Sequence, residues 1–164
     1  MKNSVFLTAA IISVLASGVT TAQEAVVGSD NADSLFTSSD SRLNANKQVV
    51  YHIMKDLLEA NHWESADRYL TARYIQHNPL VKSGRDSVVG FFTQVLHVKP
   101  TPVPEKMHTA VVSVTAEGDL VIVATPKILK DPKDPSKSYT TTWFDMWRIK
   151  DGKADEHWDG ATKG

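Results

Sequence analysis

The stretch FDMWRIKDGKADEHWDG, Phe144–Gly160, has the pattern of a β-hairpin that carries charged residues on otherwise apolar faces. Two alternating segments flank an Asp-Gly pair, which is a strong turn signal. Because side chains alternate along a strand, Asp145 shares a face with tryptophans, and His157 shares a face with Asp159. An unpaired charge is costly to bury, so a functional site is one explanation of this pattern. A solvated sheet face is the other.

The register of the hairpin decides which of these side chains meet. A two-residue Asp-Gly loop sets Asp145 opposite Trp158. A three-residue Lys-Asp-Gly loop sets Asp145 opposite His157, and Trp143 opposite Asp159. We predict the three-residue loop, in which the two acids and the histidine converge on one pocket.

The rest of the chain places helical patterns before strand patterns. Apolar residues recur at helical spacing in three segments, at about 47–61, 64–70 and 83–98. Strand-like alternation follows in four segments, at about 108–116, 120–129, 139–149 and 153–161. This order predicts an α+β fold in which helices pack on one face of a curved antiparallel sheet.

Composition divides the chain into three parts. Residues 1–22 contain Lys2, an apolar run and a small-residue end at Ala22, which indicates a signal peptide and a secreted or periplasmic protein. A membrane-spanning helix is the alternative, but the run is shorter than the roughly 20 residues needed. Residues 23–46 are rich in Ser, Asp and Asn and are predicted to be a flexible linker. Residues 47–164 form the predicted domain.

Charge and cysteine content exclude several classes of protein. The net charge is −1 and no basic run is present, so the sequence has no electrostatic signature of nucleic-acid binding. The chain has no cysteine, which excludes a disulfide-stabilised mini-protein, thiolate metal sites and cysteine nucleophiles.

Three motifs together resemble the SnoaL-like branch of the nuclear transport factor 2 superfamily. They are YIQHNP at 74–79, SGRDSVVGFF at 83–92 and FDMWRIKDGKADEHWD at 144–159. The resemblance implies a cone-shaped α+β barrel, in which a strongly curved antiparallel sheet wraps around about three N-terminal helices and encloses one pocket. It also implies a small organic ligand or substrate and, often, a homodimer.

The resemblance also implies roles for individual residues. In ketosteroid isomerases, the residue at the position that matches Asp145 faces the pocket. In SnoaL-type polyketide cyclases, a His-x-Asp pair that matches His157 and Asp159 lies at the active centre. Asn78 stands at the position where ketosteroid isomerases have their catalytic carboxylate. This chain therefore lacks the base that steroid isomerisation uses in that family.

We therefore predict three catalytic residues. Asp159 is the candidate base, because a carboxylate removed from water binds a proton more readily. A surface acid near the C-terminus is its alternative. His157 donates to a developing enolate oxygen or orients Asp159, with a structural hydrogen bond as the alternative. Asp145 holds the tautomer of His157 or, if protonated, acts as an oxyanion donor.

Four further residues are predicted to bind substrate: His77, Asn78, Trp143 and Trp147. Turn formation before a proline is the alternative for Asn78. Arg148 has the opposite parity to Asp145 and is assigned to the outer face. No metal-binding or phosphate-binding motif is present, so no metal and no cofactor are expected.

Two functions follow from these expectations. The first is cofactor-independent acid/base catalysis on a carbonyl compound, by aldol-type cyclisation, isomerisation or hydration. The second is a non-catalytic small-molecule-binding protein of the same fold, since a fold does not determine its function.

Overall fold

The computed structural model describes residues 23–163. The predicted signal peptide, residues 1–22, lies outside the described residues. Within the described part, no helix is long and apolar enough to cross a membrane.

Three helical regions precede most of the sheet. Helix α1, Ser41–His52, is capped by Asp40, whose side chain accepts a hydrogen bond from the amide of Leu43. The helix continues as π-helical turns over Ile53–Glu59. Helix α2, Ala66–Tyr69, follows a 3₁₀ turn at Trp63–Ser65. Helix α3, Arg85–Gly90, continues as π-helical turns over Phe91–Val95.

Five strands form one curved sheet in the order β1-β5-β4-β3-β2. Neighbouring strands are antiparallel except for β1 and β5, which are parallel. The bounds are β1 Leu70–Gln76, β2 Ser113–Glu117, β3 Leu120–Lys130, β4 Ser138–Lys150 and β5 Lys153–Asp159. The predicted α+β class with about three helices and a curved sheet is confirmed. The sheet does not close into a barrel. It is mixed, because β1 adds a parallel edge strand. Only the end of a helix and a loop were predicted there.

The predicted linker is wrong for most of its length. Phe36 lies in a 3₁₀ turn at Asp33–Phe36 and is 0% exposed in the hydrophobic core. The amide of Ser29 donates to the carbonyl oxygen of Val111, and helix α1 begins at Ser41, within the predicted linker. The segment is mostly polar, and a single buried aromatic residue produces no helical or strand periodicity. Sequence analysis therefore did not predict that the segment packs on the domain.

The hairpin register is also wrong in detail. Lys150 pairs with Lys153 around a two-residue turn in which Asp151 and Gly152 both have positive φ, of 51° and 73°. A bulge in β5 at Asp155 then shifts the pairing, so that Asp145 faces Asp159. Neither predicted register includes the bulge. The bulge nevertheless puts the predicted acids and the histidine on the same face of the sheet.

Candidate functional site

A cavity of about 170 Å³ lies between the helices and the sheet. Its polar lining comes mainly from the ends of the strands and from the loop after β1. The rest is apolar and comes largely from α3 and from the π-helical extensions of α1 and α3. The lining residues are Ile53, Leu57, Leu58, Trp63, Leu70, Tyr74, Gln76, Asn78, Leu80, Val81, Val88, Phe91, Phe92, Asp145, Trp147, His157 and Asp159.

All three predicted catalytic residues line this cavity. Asp145 lies on β4, and His157 and Asp159 lie on β5. One oxygen or nitrogen atom of each lies within 4.8 Å of those of the other two. His157 is buried opposite Trp147, and its Nε2 lies 3.1 Å from Asp145 Oδ1.

The second ring nitrogen of His157 contacts a residue that sequence analysis did not identify. His157 Nδ1 lies 2.6 Å from Gln76 Oε1, and the same oxygen accepts a hydrogen bond from the backbone amide of Asn78. The amide contact orients the Gln76 oxygen as an acceptor, so His157 Nδ1–H is a donor. Gln76 was missed because β1, where it lies, was not predicted as a strand.

Two donors hold the carboxylate of Asp159. Its Oδ2 accepts from Asn78 Nδ2 at 2.7 Å, and its Oδ1 accepts from the backbone amide of Ala161 at 2.9 Å. These two contacts fix the orientation of the Asp159 carboxylate, because each donates to one of its oxygens. Asn78, predicted as a pocket residue, therefore lies in the site and contacts the predicted base directly.

Tyr74 is a second residue that sequence analysis missed. Its hydroxyl accepts a hydrogen bond from Trp147 Nε1 at 3.0 Å, and its ring stacks on His157. Burial raises the pKa of Tyr74, and the charges of Asp145 and Asp159 act in the same direction. The hydroxyl therefore stays protonated, and among residues 23–163 its proton has no acceptor.

Two predicted substrate-binding residues lie outside the cavity. His77 Nε2–H donates to Glu156 Oε1 at 2.8 Å, and the ring of His77 stacks on Trp158, on the other face of β5. Trp143 lies beyond the cavity on β4, where Lys127 Nζ sits 3.6 Å from the centre of its ring. Neither residue lines this cavity, so the structure does not bring them together with the other predicted site residues. His77 contacts residues of β5 that point away from the cavity. Trp143 lies on a part of the long strand β4 that extends past the cavity. Trp147 lines the cavity as predicted.

Arg148 lies on the outer face, as its parity predicts. Its guanidinium contacts Asp119 and Glu156, away from the cavity. This arrangement leaves the cavity without an arginine or lysine among its lining residues.

Asp145, His157 and Asp159 offer two carboxylates and an imidazole, which divalent transition metals accept as ligands. A metal bound through His157 Nε2 would have to replace the hydrogen bond to Asp145. His157 and Asp145 can also share a proton without a metal, because a hydrogen bond already joins them.

Comparison with known proteins agrees with this architecture. A family model described as the SnoaL-like domain matches residues 51–157. No match to a curated protein sequence was significant.

Solved structures share the fold at low sequence identity. A nuclear transport factor 2-like protein of unknown function from Burkholderia pseudomallei is 16% identical with a TM-score of 0.51, over 72% of this chain and 91% of that one. A proposed polyketide cyclase from Acidithiobacillus ferrooxidans is 14% identical with a TM-score of 0.51, over 75% and 89%. A proposed polyketide cyclase from Bacillus cereus is 15% identical with a TM-score of 0.51, over 74% and 77%. The family match, which covers well over half of the chain, shows that this protein belongs to the SnoaL-like domain family.

Proposed function

We propose that this protein is a cofactor-independent enzyme that moves a proton at the carbon next to a carbonyl group of a small organic compound. The observation that carries the proposal is the position of Asp145, His157 and Asp159 at the polar end of an otherwise apolar cavity. An apolar surrounding strengthens every electrostatic interaction within it, which favours proton transfer to and from a ligand.

The hydrogen bonds support separate roles for an acid and a base. His157 lies between two acceptors, Gln76 Oε1 and Asp145 Oδ1. A proton must therefore lie between His157 and Asp145, as an imidazolium beside a carboxylate or as a neutral imidazole beside a carboxylic acid. Asp159 accepts two hydrogen bonds from the protein, and its side chain lines the cavity. The pair is the acid and Asp159 is the base.

The proposed step is enolisation. Asp159 removes a proton from the carbon beside the carbonyl group, and the C–H electron pair becomes the C=C bond of the enolate. The carbonyl π electrons move to oxygen, which is stabilised by the hydroxyl of Tyr74 or takes the proton of the His157–Asp145 pair. In a β,γ-unsaturated ketone the enolate extends over the second C=C bond, and return of the proton at the γ carbon moves the double bond and isomerises the compound. Attack of the enolate carbon on a second carbonyl group cyclises it, and that oxygen then takes a proton.

The cavity limits the substrate in size and charge. An engineered cavity of about 150 Å³ binds benzene, so a cavity of about 170 Å³ suits a compound of about one six-membered ring. The lining is mostly apolar and contains no lysine or arginine, which favours a neutral ligand. The substrate class is therefore a neutral, monocyclic or similarly small carbonyl compound.

The second candidate is a binding protein without turnover. It is favoured by the closure of the polar network, because Asp159 and both ring nitrogens of His157 already have hydrogen-bond partners in the protein. Such a network can serve to rigidify the pocket.

Hydrogen exchange separates the two candidates without knowledge of the natural substrate. Cyclohexanone in D₂O is incubated with the protein, and loss of its α-proton signal is followed by NMR. We expect exchange above the buffer rate, unaffected by EDTA. Asp159→Asn should abolish the enzymatic exchange, and His157→Ala should lower it about 100-fold.

The matched control is Asp119→Asn, which removes a surface acid that pairs with Arg148 on the outer face. It should leave exchange unchanged, and melting curves should show that all variants fold. Exchange that persists in Asp159→Asn would exclude this residue as the base. Binding of cyclohexanone without any exchange by the native protein would favour the non-catalytic candidate.

We further propose that the protein is exported, with cleavage after Ala22. The apolar run in residues 1–22 and its small-residue end support this proposal. The intact mass of the protein from the extracytoplasmic fraction should correspond to a chain that begins at Gln23. A cell-associated chain that retains residues 1–22 would contradict export.

A homodimer is proposed through the outer face of the sheet. Ile122, Phe144, Met146 and Trp158 form a shallow apolar surface there, and Phe144 is 57% exposed. Exposed apolar surfaces of this kind mark interaction sites. Sedimentation should show a dimer that Phe144→Lys converts to a monomer; a monomeric native protein would contradict the proposal.

A further inference from the structure

Gln76 lines the cavity beside His157 and has no role in the proposed step. It is the last residue of β1, and the parallel pairing of β1 with β5 sets its Cα opposite that of His157. Its Oε1 lies 2.6 Å from His157 Nδ1 and accepts a hydrogen bond from the backbone amide of Asn78 at 3.3 Å. The position of this oxygen is therefore set by strand pairing and by the loop that follows β1.

The backbone amide of Asn78 also determines which end of the Gln76 side chain faces His157. If the side-chain amide were turned over, its NH₂ group would face the N–H of Asn78, and two donors would meet. Gln76 therefore presents its oxygen, which only accepts, to His157 Nδ1. His157 is 7% exposed, and a bare Nδ1 would place two acceptors 2.6 Å apart in a largely buried position. The ring must carry a proton on Nδ1.

We propose that Gln76 is the positioning residue that keeps His157 Nδ1 protonated and so keeps a second, transferable proton between His157 Nε2 and Asp145. The inference rests on the proposed function for the use of that second proton. With Nδ1–H held by Gln76, the second proton can pass to the enolate oxygen, and a neutral imidazole remains beside the Asp145 carboxylate. Asp159 has meanwhile taken the proton from carbon, so the protein gains one proton and gives one.

Loss of the acceptor at position 76 removes the second proton from the pair. Without Gln76 Oε1, a proton on Nδ1 would be an unpaired buried donor, which is unfavourable. The ring would instead hold its one proton on Nε2, which lies 3.1 Å from Asp145 Oδ1. Release of that proton would leave an imidazolate anion, so the pair could no longer act as an acid. Gln76 thus decides how many protons the pair holds.

Gln76→Met tests the proposal, because methionine has nearly the same length and no oxygen. Long-range ¹H–¹⁵N NMR reports the protonation of each histidine nitrogen, and the spectrum of His157→Ala identifies the signals of His157. We expect His157 Nδ1 to be protonated in the native protein and bare in Gln76→Met. Deuterium exchange of cyclohexanone should fall about 100-fold in the same variant, the lower range for one acid/base group.

Two further variants separate this role from a merely structural one. Gln76→Glu keeps a side-chain oxygen opposite Nδ1, so Nδ1 should stay protonated. Gln48→Met is the matched control, because Gln48 lies on α1 outside the cavity and donates to the carbonyl oxygen of Phe36. It should lower stability and leave both the exchange and the spectrum of His157 unchanged. If Gln76→Met does not fold, the native protein decides, since a bare Nδ1 there overturns the proposal.

Two results with Gln76→Met would also overturn the inference: an Nδ1 that stays protonated, or native rates of exchange despite a bare Nδ1. If the native protein catalyses no exchange, the proposed function fails, while loss of the Nδ1 proton in Gln76→Met still supports control of the tautomer by Gln76. Exchange by the native protein together with an unchanged Nδ1 in Gln76→Met would do the reverse.

Discussion

Tyr74 connects the core of the protein to the proposed chemistry. Its ring is buried against His157, and its hydroxyl accepts from Trp147, so the position of the oxygen is determined by packing and by one hydrogen bond. Burial raises its pKa, which keeps the proton available for donation. A donor held in this way does not need to reorganise when negative charge develops on a ligand oxygen.

We expect Tyr74→Phe to lower the exchange rate of cyclohexanone about 100-fold, as for the loss of one oxyanion donor. The substitution also leaves Trp147 Nε1–H unpaired, so stability should fall by about 1–3 kcal/mol. Tyr69→Phe is the control, because Tyr69 donates to Asp56 outside the cavity. It should affect stability but not exchange. Normal exchange in Tyr74→Phe would show that the His157–Asp145 pair alone stabilises the enolate.

The bulge in β5 is the element that sets the geometry of the site. Asp155, the extra residue of the bulge, is 2% exposed. Its carboxylate accepts hydrogen bonds from Arg73 and from the hydroxyl of Thr71, both on β1. Because strand side chains alternate, one extra residue moves His157 and Asp159 to the face of Asp145. A buried acid is thus part of the alignment of the site.

Because the bulge contains the Asp155 carboxylate, we expect the stability of the folded protein to depend on pH in the acid range. The Arg73 guanidinium is the main reason that the pKa of Asp155 is lowered to about 2. Burial acts in the opposite direction, and the hydroxyl of Thr71 acts in the same direction as Arg73. A carboxylate with a lowered folded-state pKa stabilises the protein above its unfolded pKa and loses that effect as the pH falls. We expect Asp155→Asn to cost roughly 1.5–3 kcal/mol near neutral pH.

The difference between the native protein and Asp155→Asn should shrink as the pH falls from about 4 to about 2. Urea unfolding at several pH values measures it. Asp119→Asn, at an exposed pair, should cost under about 1 kcal/mol and serves as the control. A difference that is independent of pH in this range would mean that the ion pair does not hold the bulge.

At the scale of the whole molecule, the segment before helix α1 is part of the domain. Phe36 is fully buried and packs against Tyr51, with ring centres 5.5 Å apart. The side chains of Lys47 and Gln48, on helix α1, donate to the backbone carbonyl oxygens of Leu35 and Phe36, respectively. The segment therefore closes one side of the core.

We expect Phe36→Ala to destabilise the protein by about 3–5 kcal/mol, because it leaves a large cavity in the core. Phe144→Ala is the matched control; Phe144 is 57% exposed and its loss should change monomer stability little. Chemical unfolding at low protein concentration compares the two. A Phe36→Ala variant as stable as the native protein would restore the interpretation of residues 23–46 as a linker.

Several features of this protein were predictable because they depend on residues close together in the chain. The Asp-Gly pair predicted the turn between β4 and β5, and alternation predicted that Arg148 faces away from Asp145. Helical and strand periodicities predicted the three helical regions and four of the five strands. The three motifs predicted the family. Each of these signals is local, or is a pattern shared with relatives.

Other features were decided by contacts between distant parts of the chain. β1 pairs with β5, so the positions of Tyr74 and Gln76 beside His157 depend on residues about 80 positions later. Asp155 acts as a bulge residue because Arg73 and Thr71 meet it across that same pair of strands. The burial of Phe36 likewise arises from packing. The sequence alone determined the three helical regions, four of the five strands and the alternation of side chains within each strand, since backbone preferences are local. The tertiary structure alone decided the register, the edge strand and the completed site, because these depend on long-range pairing and on the packing of side chains.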